Sequence, residues 1–381
     1  MDRKTQSLAA LAELAVPVAE GGREYRAHPS VAGARWLFPA GDPAVRRAGI
    51  REMFRPKSAK GRLFGGLVSA GAWRGGRVFL DEGALSELER GFSDALGGEV
   101  RVAFYVGTPG AYRKVTALAV SPAGAPLAFA KLAATPSARA DVAAERRNLR
   151  MLAGPGTLRG RVPEVVRAFR WRGSDVLLLG AGPPAAGPDR LTAEHLAFLK
   201  DLFVPFAEKK KFSDSSLMSG MARGVEGLRP LAPAALQDLL EASLARLGDL
   251  LGATEVPVSV AHRDFAPWNT RSGPARLFVF DWDRVEREAT PLYDAFHFAA
   301  IQAALFGGRD HLPNPRFLRD LLCHLWPEGH KHLPALHLAY LLDQALFYAE
   351  ARATAPEKGE SGVLDWFVQR LRTFPHESPR P

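Results

Sequence analysis

Cysteine is almost absent: Cys323 stands alone among 381 residues, which excludes an intramolecular disulfide framework. No apolar run approaches the roughly 18 residues that span a bilayer, and Met1-Asp2-Arg3-Lys4 is not followed by a signal-peptide core. No transmembrane segment is therefore expected, and the expected compartment is the cytoplasm. No GxSxG elbow occurs, so triad hydrolysis is not suggested. No GxGxxG opens a helix after a strand, which removes a dinucleotide-binding reading. The histidines form no metal-binding pattern with Cys323: His332 and His337 are five apart, not the four that align two ligands on a helix. Acid is in deficit, with 41 Asp and Glu against 50 Lys and Arg and a net charge of +9. That excess permits nucleotide phosphates, nucleic acid or anionic headgroups as partners and selects none of them.

What is present suffices for folding. A hydrophobic share of 47% and a charged share of 24% describe a soluble globular chain long enough for two or three core-bearing units. Residues 100–106 and 111–120 are expected as a hairpin around Gly107-Thr108-Pro109-Gly110, and 127–132 as a third strand carrying Lys131 among apolar neighbours. Residues 137–152 have a helical pattern, with Ser137 as the expected N-cap. Ala138, Val142, Glu145, Leu149 and Leu152 share one stripe, so Glu145 is expected to face the core. A carboxylate there needs a counter-charge, and Lys131 is the expected partner, with Asp141 a less well-phased substitute for Glu145. Further strands are expected over 165–171 and 175–179, before a Gly/Pro-rich connection at 180–188. Beyond it, helical patterns cover 192–207, 233–251, 292–306, 315–325, 332–353 and 362–372, and residues 209–216 read as a polar loop.

The densest chemistry lies in His262-Arg263-Asp264-Phe265-Ala266-Pro267-Trp268-Asn269, followed twelve residues later by Asp281 at the end of an apolar run. Moving the γ-phosphoryl group of ATP to a hydroxyl requires a carboxylate that orients the hydroxyl and accepts its proton. It also requires hard oxygen ligands that hold Mg²⁺ against the phosphates. Asp264 suits the first role, and Asn269 and Asp281 suit the second. Pro267 stiffens a turn that lets Asp264 and Asn269 face one cleft, while residues 277–280 read as a buried strand delivering Asp281. The pattern His262-x-Asp264-x-x-x-x-Asn269 with Asp281-Trp282-Asp283 resembles the catalytic and metal motifs of the aminoglycoside phosphotransferase and choline kinase-like families, distant relatives of protein kinases.

The resemblance implies an α+β, two-lobed protein-kinase-like fold. An antiparallel-sheet N-lobe with hinge would span 99–182 and a mostly helical C-lobe 183–381, after an N-terminal extension over 1–98. It implies ATP and Mg as cofactors and a small-molecule substrate bearing a hydroxyl. The hairpin tip with Gly107 and Gly110 would cover the phosphates, although Pro109 removes one backbone donor there. Lys131, held by Glu145, would contact the phosphates, and the main chain around Leu178 to Gly180 would bond the adenine edge. His262 would support the catalytic loop, Asp294 would bond backbone donors in that loop, and Asp283 would either aid the metal or cap the next turn. Arg263 stands where these families usually carry glycine. Only twelve residues separate Asp281 from Asp294, too few for a peptide-docking activation segment of the protein-kinase kind, so a small molecule is favoured over a protein. Residues 191–256 hold nine acids against seven bases, too even to choose among a sugar, an amino alcohol and an aminoglycoside-like acceptor.

Residues 1–98 contain a cationic run over 46–62, with Arg46, Arg47, Arg51, Arg55, Lys57, Lys60 and Arg62 against the acid Glu52, and the aromatics Trp36, Phe38, Phe54, Phe64, Trp73 and Phe79. No nucleic-acid module frames them. Packing against the kinase body is the expectation, ahead of weak contact with an anionic surface and of nucleic-acid binding. Two alternative functions stay open: a pseudokinase or nucleotide-binding regulatory scaffold, and a basic nucleic-acid- or membrane-associated binding protein. Nothing in the sequence indicates the oligomeric state.

Overall fold

In a computed structural model of the chain, the structure describes residues 18–31, 33–54, 59–73, 75–107, 114–273, 276–307, 314–354 and 361–374. They divide into two compact units, Met1–Gly154 with Arg159–Ala185 and Pro155–Leu158 with Ala186–Pro381.

The first unit is built on one eight-stranded sheet. Its strands are β1 (Val18–His28), β2 (Trp36–Pro39), β3 (Gly76–Leu80), β4 (Arg101–Val106), β5 (Val115–Val120), β6 (Pro126–Ala133), β7 (Val165–Trp171) and β8 (Ser174–Gly180). They lie in the order β3-β1-β2-β4-β5-β6-β8-β7, and each neighbouring pair is antiparallel. Side chains alternate between faces along a strand. On β4, Val102, Phe104 and Val106 accordingly join one apolar cluster and Ala103 another. The first cluster takes in Leu85, Leu88 and Phe92 of α3 (Glu82–Leu96). The second takes in Val45 and Ala48 of α1 (Pro43–Met53) and Val68 of α2 (Ala59–Ser69). Residues 1–98, expected as an extension, thus supply three strands to the same sheet as β4–β8 and helices to both of its apolar clusters. The junction is the β2–β4 pairing, with Trp36 opposite Tyr105 and Leu37 opposite Phe104. Arg46, Arg47 and Arg51 of the basic run lie on α1, and Arg51 pairs with the buried Glu52 at 2.8 Å. Arg55 and Lys57 lie outside the described residues.

Helix α4 (Pro136–Leu152) packs against β6, β7 and β8. Its N-cap is Thr135, whose hydroxyl accepts from the Ala138 amide at 3.3 Å, and not Ser137. Pro136 explains the shift: its fixed φ and missing N–H suit the first helical position, which moves the cap to the residue before it.

The second unit is mostly helical. It contains α5 (Ala193–Phe203), α6 (Ser216–Leu228), α7 (Ala234–Leu251), α8 (Tyr293–Phe306), α9 (Pro315–Leu325), α10 (Leu333–Thr354) and α11 (Ser361–Arg372). Helix α10 is the centre, touching α6, α7, α8 and α11. After the two-residue β9 (Ala185–Ala186), strands β10 (Glu208–Lys211), β11 (Glu255–Ala261) and β14 (Glu286–Ala289) form one small sheet. Strands β12 (Thr270–Gly273) and β13 (Arg276–Val279) form a hairpin. Of the polar loop expected over 209–216, residues 209–211 are strand and Phe212–Asp214 a 3-10 turn leading into α6. Lys209 pairs in register with Pro257 and Lys210 with Val256, while Lys210 meets Glu288 at 2.5 Å and Lys209 meets Glu328 at 3.4 Å. Three consecutive lysines hide the strand from any reading by hydrophobic period. Among the described residues, no helix is long and apolar enough to cross a membrane.

The shared sheet makes a direct prediction. Phe92 is fully buried in the cluster that also holds Val102, Phe104 and Val176, so Phe92→Ala is expected to destabilise the first unit by about 3–5 kcal/mol. Urea unfolding followed by near-ultraviolet circular dichroism measures this. Unchanged stability would mean that residues 1–98 are merely appended.

Candidate active site

In the second unit, β11 ends at Ala261 and the chain enters His262-Arg263-Asp264. Asp294, in the first turn of α8, holds this entry. Its Oδ2 accepts from the His262 amide at 2.7 Å and its Oδ1 from the Arg263 amide at 3.0 Å. Burial pushes the Asp294 carboxyl up, and the two amide bonds it accepts oppose that only in part. The His262 ring is itself fully buried and faces Trp282 at 4.4 Å. Its Nδ1 accepts from the Asp264 amide at 3.2 Å, so the ring donates from Nε2 to the Phe280 carbonyl at 2.9 Å. One neutral imidazole therefore ties the Asp264 backbone to the residue before Asp281.

Arg263 adopts a left-handed φ of 65°, a conformation that suits glycine and costs other residues roughly 1–2 kcal/mol. A bidentate contact offsets that cost: one guanidinium nitrogen reaches Asp343 Oδ1 and Oδ2 at 2.8 and 2.7 Å. Asp343 on α10 also accepts from the buried Tyr293 hydroxyl, which in turn accepts from Gln344 at 2.8 Å.

Beyond the turn, a 3-10 segment over Pro267–Asn269 brings Asn269 back to Asp264. The Asn269 amide nitrogen donates to the Asp264 carbonyl at 2.8 Å and to its carboxylate at 2.9 Å. This directs the remaining Asn269 oxygen away from those bonds. Phe280 donates its amide to the Asn269 carbonyl at 3.1 Å, and Asp281 follows at a left-handed φ of 73°. Asp281 is near enough for its charge to raise the Asp264 pKa. The Asn269 and Asp281 side-chain oxygens are hard donors of the kind Mg²⁺ takes alongside water and phosphate oxygens. Asp283 lies in the following 3-10 turn, Trp282–Arg284.

His297 is a site residue that the sequence analysis gave no role. It lies three residues after Asp294 on α8, hence on the same helix face, and its Nε2 is 3.4 Å from Asp264 Oδ1. Tyr340 contacts the other ring nitrogen at 3.3 Å. Burial pushes the Asp264 carboxyl up and Asp281 adds to that, but the adjacent His297 outweighs both and holds it below the usual value. Asp264 is thus a carboxylate at neutral pH, open to proton transfer. The signal in the sequence was the Asp294-x-x-His297 spacing.

The first unit carries the remaining candidates. Lys131 on β6 meets the fully buried Glu145 of α4 at 2.5 Å. Lys114 meets Asp141 at 3.4 Å, so Asp141 has a different partner. Gly107 is required by the hairpin itself, since a Cβ there would lie 2.6 Å from the Lys114 carbonyl oxygen. Gly110 lies outside the described residues. Leu178 is buried opposite Ala130, and Gly180 pairs with Ala128. The Gly180 amide donates to the Glu164 carbonyl at 2.9 Å, so that donor is committed within the first unit.

No family model and no curated protein sequence matches this chain. Its fold does match solved structures. A thermostable mutant of aminoglycoside phosphotransferase APH(4)-Ia, in its apo form, superposes with a TM-score of 0.51 at 14% identity, covering 75% of this chain and 97% of that one. A ternary complex of a thermostable APH(4)-Ia mutant with ADP and hygromycin B gives 0.51 at 13%, covering 76% and 97%. A choline/ethanolamine kinase family protein from Mesorhizobium loti gives 0.50 at 15%, covering 77% and 95%. The chain has the α+β, protein-kinase-like fold of these structures.

The backbone at Arg263 yields a stability test. Arg263→Gly and Arg263→Ala both lose the Asp343 pair, but only glycine relieves the left-handed φ. The glycine variant is expected to be more stable by about 1 kcal/mol in urea titration. Equal stability would show that φ carries no strain here.

Proposed function

We propose that the chain is an ATP- and Mg²⁺-dependent phosphotransferase that moves the γ-phosphoryl group to a hydroxyl of a small molecule. The observation that carries this reading is the Asp264 carboxylate, clamped between Asn269 and His297 on a loop that Asp294 fixes from below. The structural likeness to small-molecule kinases supports this reading at the level of the fold. The APH(4)-Ia complex holds ADP and hygromycin B, which supports a nucleotide and a hydroxyl-bearing small molecule as the substrate pair for this chain.

In the proposed reaction, Asp264 accepts a hydrogen bond from the acceptor hydroxyl and orients its oxygen toward the γ-phosphorus. As the new O–P bond forms, the bond from the γ-phosphorus to the β–γ bridging oxygen breaks and ADP leaves with that electron pair. The hydroxyl proton passes to Asp264. Transfer of this kind is mainly positioning and charge stabilisation, so rigidity of the carboxylate matters more than strong basicity. Mg²⁺, when bound, neutralises phosphate charge, and Asn269 and Asp281 would hold it. Lys131, fixed by Glu145, would stabilise charge on the phosphates. His297 is a positioning residue for Asp264, and His262 keeps the loop joined to the Asp281 segment. The acceptor class is a sugar, an amino alcohol or an aminoglycoside-like molecule.

Phosphate transfer from γ-labelled ATP, screened over sugars, amino alcohols and aminoglycosides, tests the reading. Asp264→Ala is expected to lower kcat by about 10²–10⁴-fold, and chelation of Mg²⁺ to abolish transfer. His297→Ala should fall between wild type and Asp264→Ala, with the KM for ATP unchanged. Turnover indifferent to Asp264→Ala would sink the enzyme reading and favour a nucleotide-binding scaffold.

A further inference from the structure

A cavity of about 360 Å³ lies wholly within the first unit, between α4 and the β7–β8 hairpin. Apolar side chains form its walls, among them Val142, Ala168, Phe169 and Leu177. Phe169 is held in place by an edge contact with Phe92 at 6.2 Å and by Arg167 over its ring at 5.3 Å. The polar lining is strongly one-sided: Arg146, Arg147, Arg150 and Arg170 against Asp175 alone.

Arg170 is already engaged, with Asp175 at 3.6 Å and the Gly173 carbonyl at 3.1 Å. The three arginines of α4 differ. Among the described residues none of them has a hydrogen-bond or ion-pair partner, and the Nε of Arg146 is buried without one. Val142, Arg146 and Arg150 follow at four-residue spacing and so share one stripe of the helix. A solvated arginine face would keep its donors in water; here one N–H is withdrawn from water and unmatched, which costs free energy unless a ligand satisfies it. A guanidinium presents a planar fork of donors that matches phosphate oxygens two at a time.

We infer that this cavity is a binding site for a small phosphomonoester. Its phosphate would be taken by Arg146 and its neighbours on α4, and its body would rest on Phe169 and the adjoining aliphatic walls. The volume falls in the range of small-molecule pockets, and a bounded cavity suits a compact ligand better than a nucleic-acid strand, which tracks an extended basic groove. The inference is independent of phosphoryl transfer, because no residue of the Asp264 loop takes part. It also gives the arginines beside Glu145 a role of their own: Glu145 meets Lys131, whereas Arg146 lines the cavity.

Isothermal titration calorimetry with glucose 6-phosphate, inorganic phosphate and glucose tests it. Saturable binding of glucose 6-phosphate is expected, at least tenfold tighter than inorganic phosphate, with no binding of glucose. Arg146→Ala with Arg150→Ala should weaken that binding at least tenfold while leaving the melting temperature within a few degrees. Ala143→Phe, which fills the cavity and leaves every charge in place, should weaken it equally. Binding that survives either variant, that never saturates, or that inorganic phosphate matches would overturn the inference. An RNA oligonucleotide bound more tightly than glucose 6-phosphate, and lost in the arginine variant, would overturn it in favour of a nucleic-acid surface.

Discussion

One buried carboxylate carries the geometry of the candidate active site. Asp294 takes the amides of His262 and Arg263 on its two oxygens, and both belong to a segment that has left β11 and can no longer bond within the sheet. An amide buried without a partner costs about 1–3 kcal/mol, so the loop can turn at this point only because α8 presents an acceptor there. Everything downstream inherits that placement. The Asp264 amide reaches His262, Asn269 reaches back to Asp264, and Phe280 bonds both the His262 ring and the Asn269 carbonyl.

The same loop contains strain that the rest of the unit compensates. Arg263 and Asp281, one on each side of the Asp264–Asn269 turn, both adopt left-handed φ, and neither is a glycine. Non-glycine residues persist there only when the surroundings over-determine them. For Arg263 the surroundings are identifiable as Asp343, Tyr293 and Gln344. Arginine is therefore compatible with a backbone conformation that suits glycine. It also couples the Asp264 loop to the central helix α10. Phosphoryl transfer depends on positioning, and this bracing suits a site that must hold its carboxylate still.

Much of this was legible in the sequence because it is local. The spacing of Asp264 and Asn269 reads as a returning turn, and the helical stripe through Val142, Glu145 and Leu149 places a carboxylate toward the core, where Glu145 meets Lys131. What escaped is non-local. Pairing of β2 with β4 joins residues about seventy apart, and nothing in either strand names its partner, so residues 1–98 read as an extension packed on the body and not as a source of strands for its sheet. Strand β10 escaped because its partner β11 stabilises it, against the character of a lysine run. His297 escaped because its role appears only once α8 lies against the loop. The N-cap at Thr135 is by contrast a local effect, set by Pro136 at the first helical position.

The two units contribute different chemistry: a buried cation–carboxylate pair on the sheet, and a carboxylate–amide cluster on the helical unit. The central claim is that Asn269 and Asp281 form a cation site next to a proton-accepting Asp264. A crystal structure of the protein with Mg²⁺ and a non-hydrolysable ATP analogue tests it most directly. The account predicts a cation bound by the Asn269 side-chain oxygen and the Asp281 carboxylate, with Asp264 facing the γ-phosphate. A nucleotide bound with its cation held by other residues, or with Asp264 turned away from the phosphate, would contradict it.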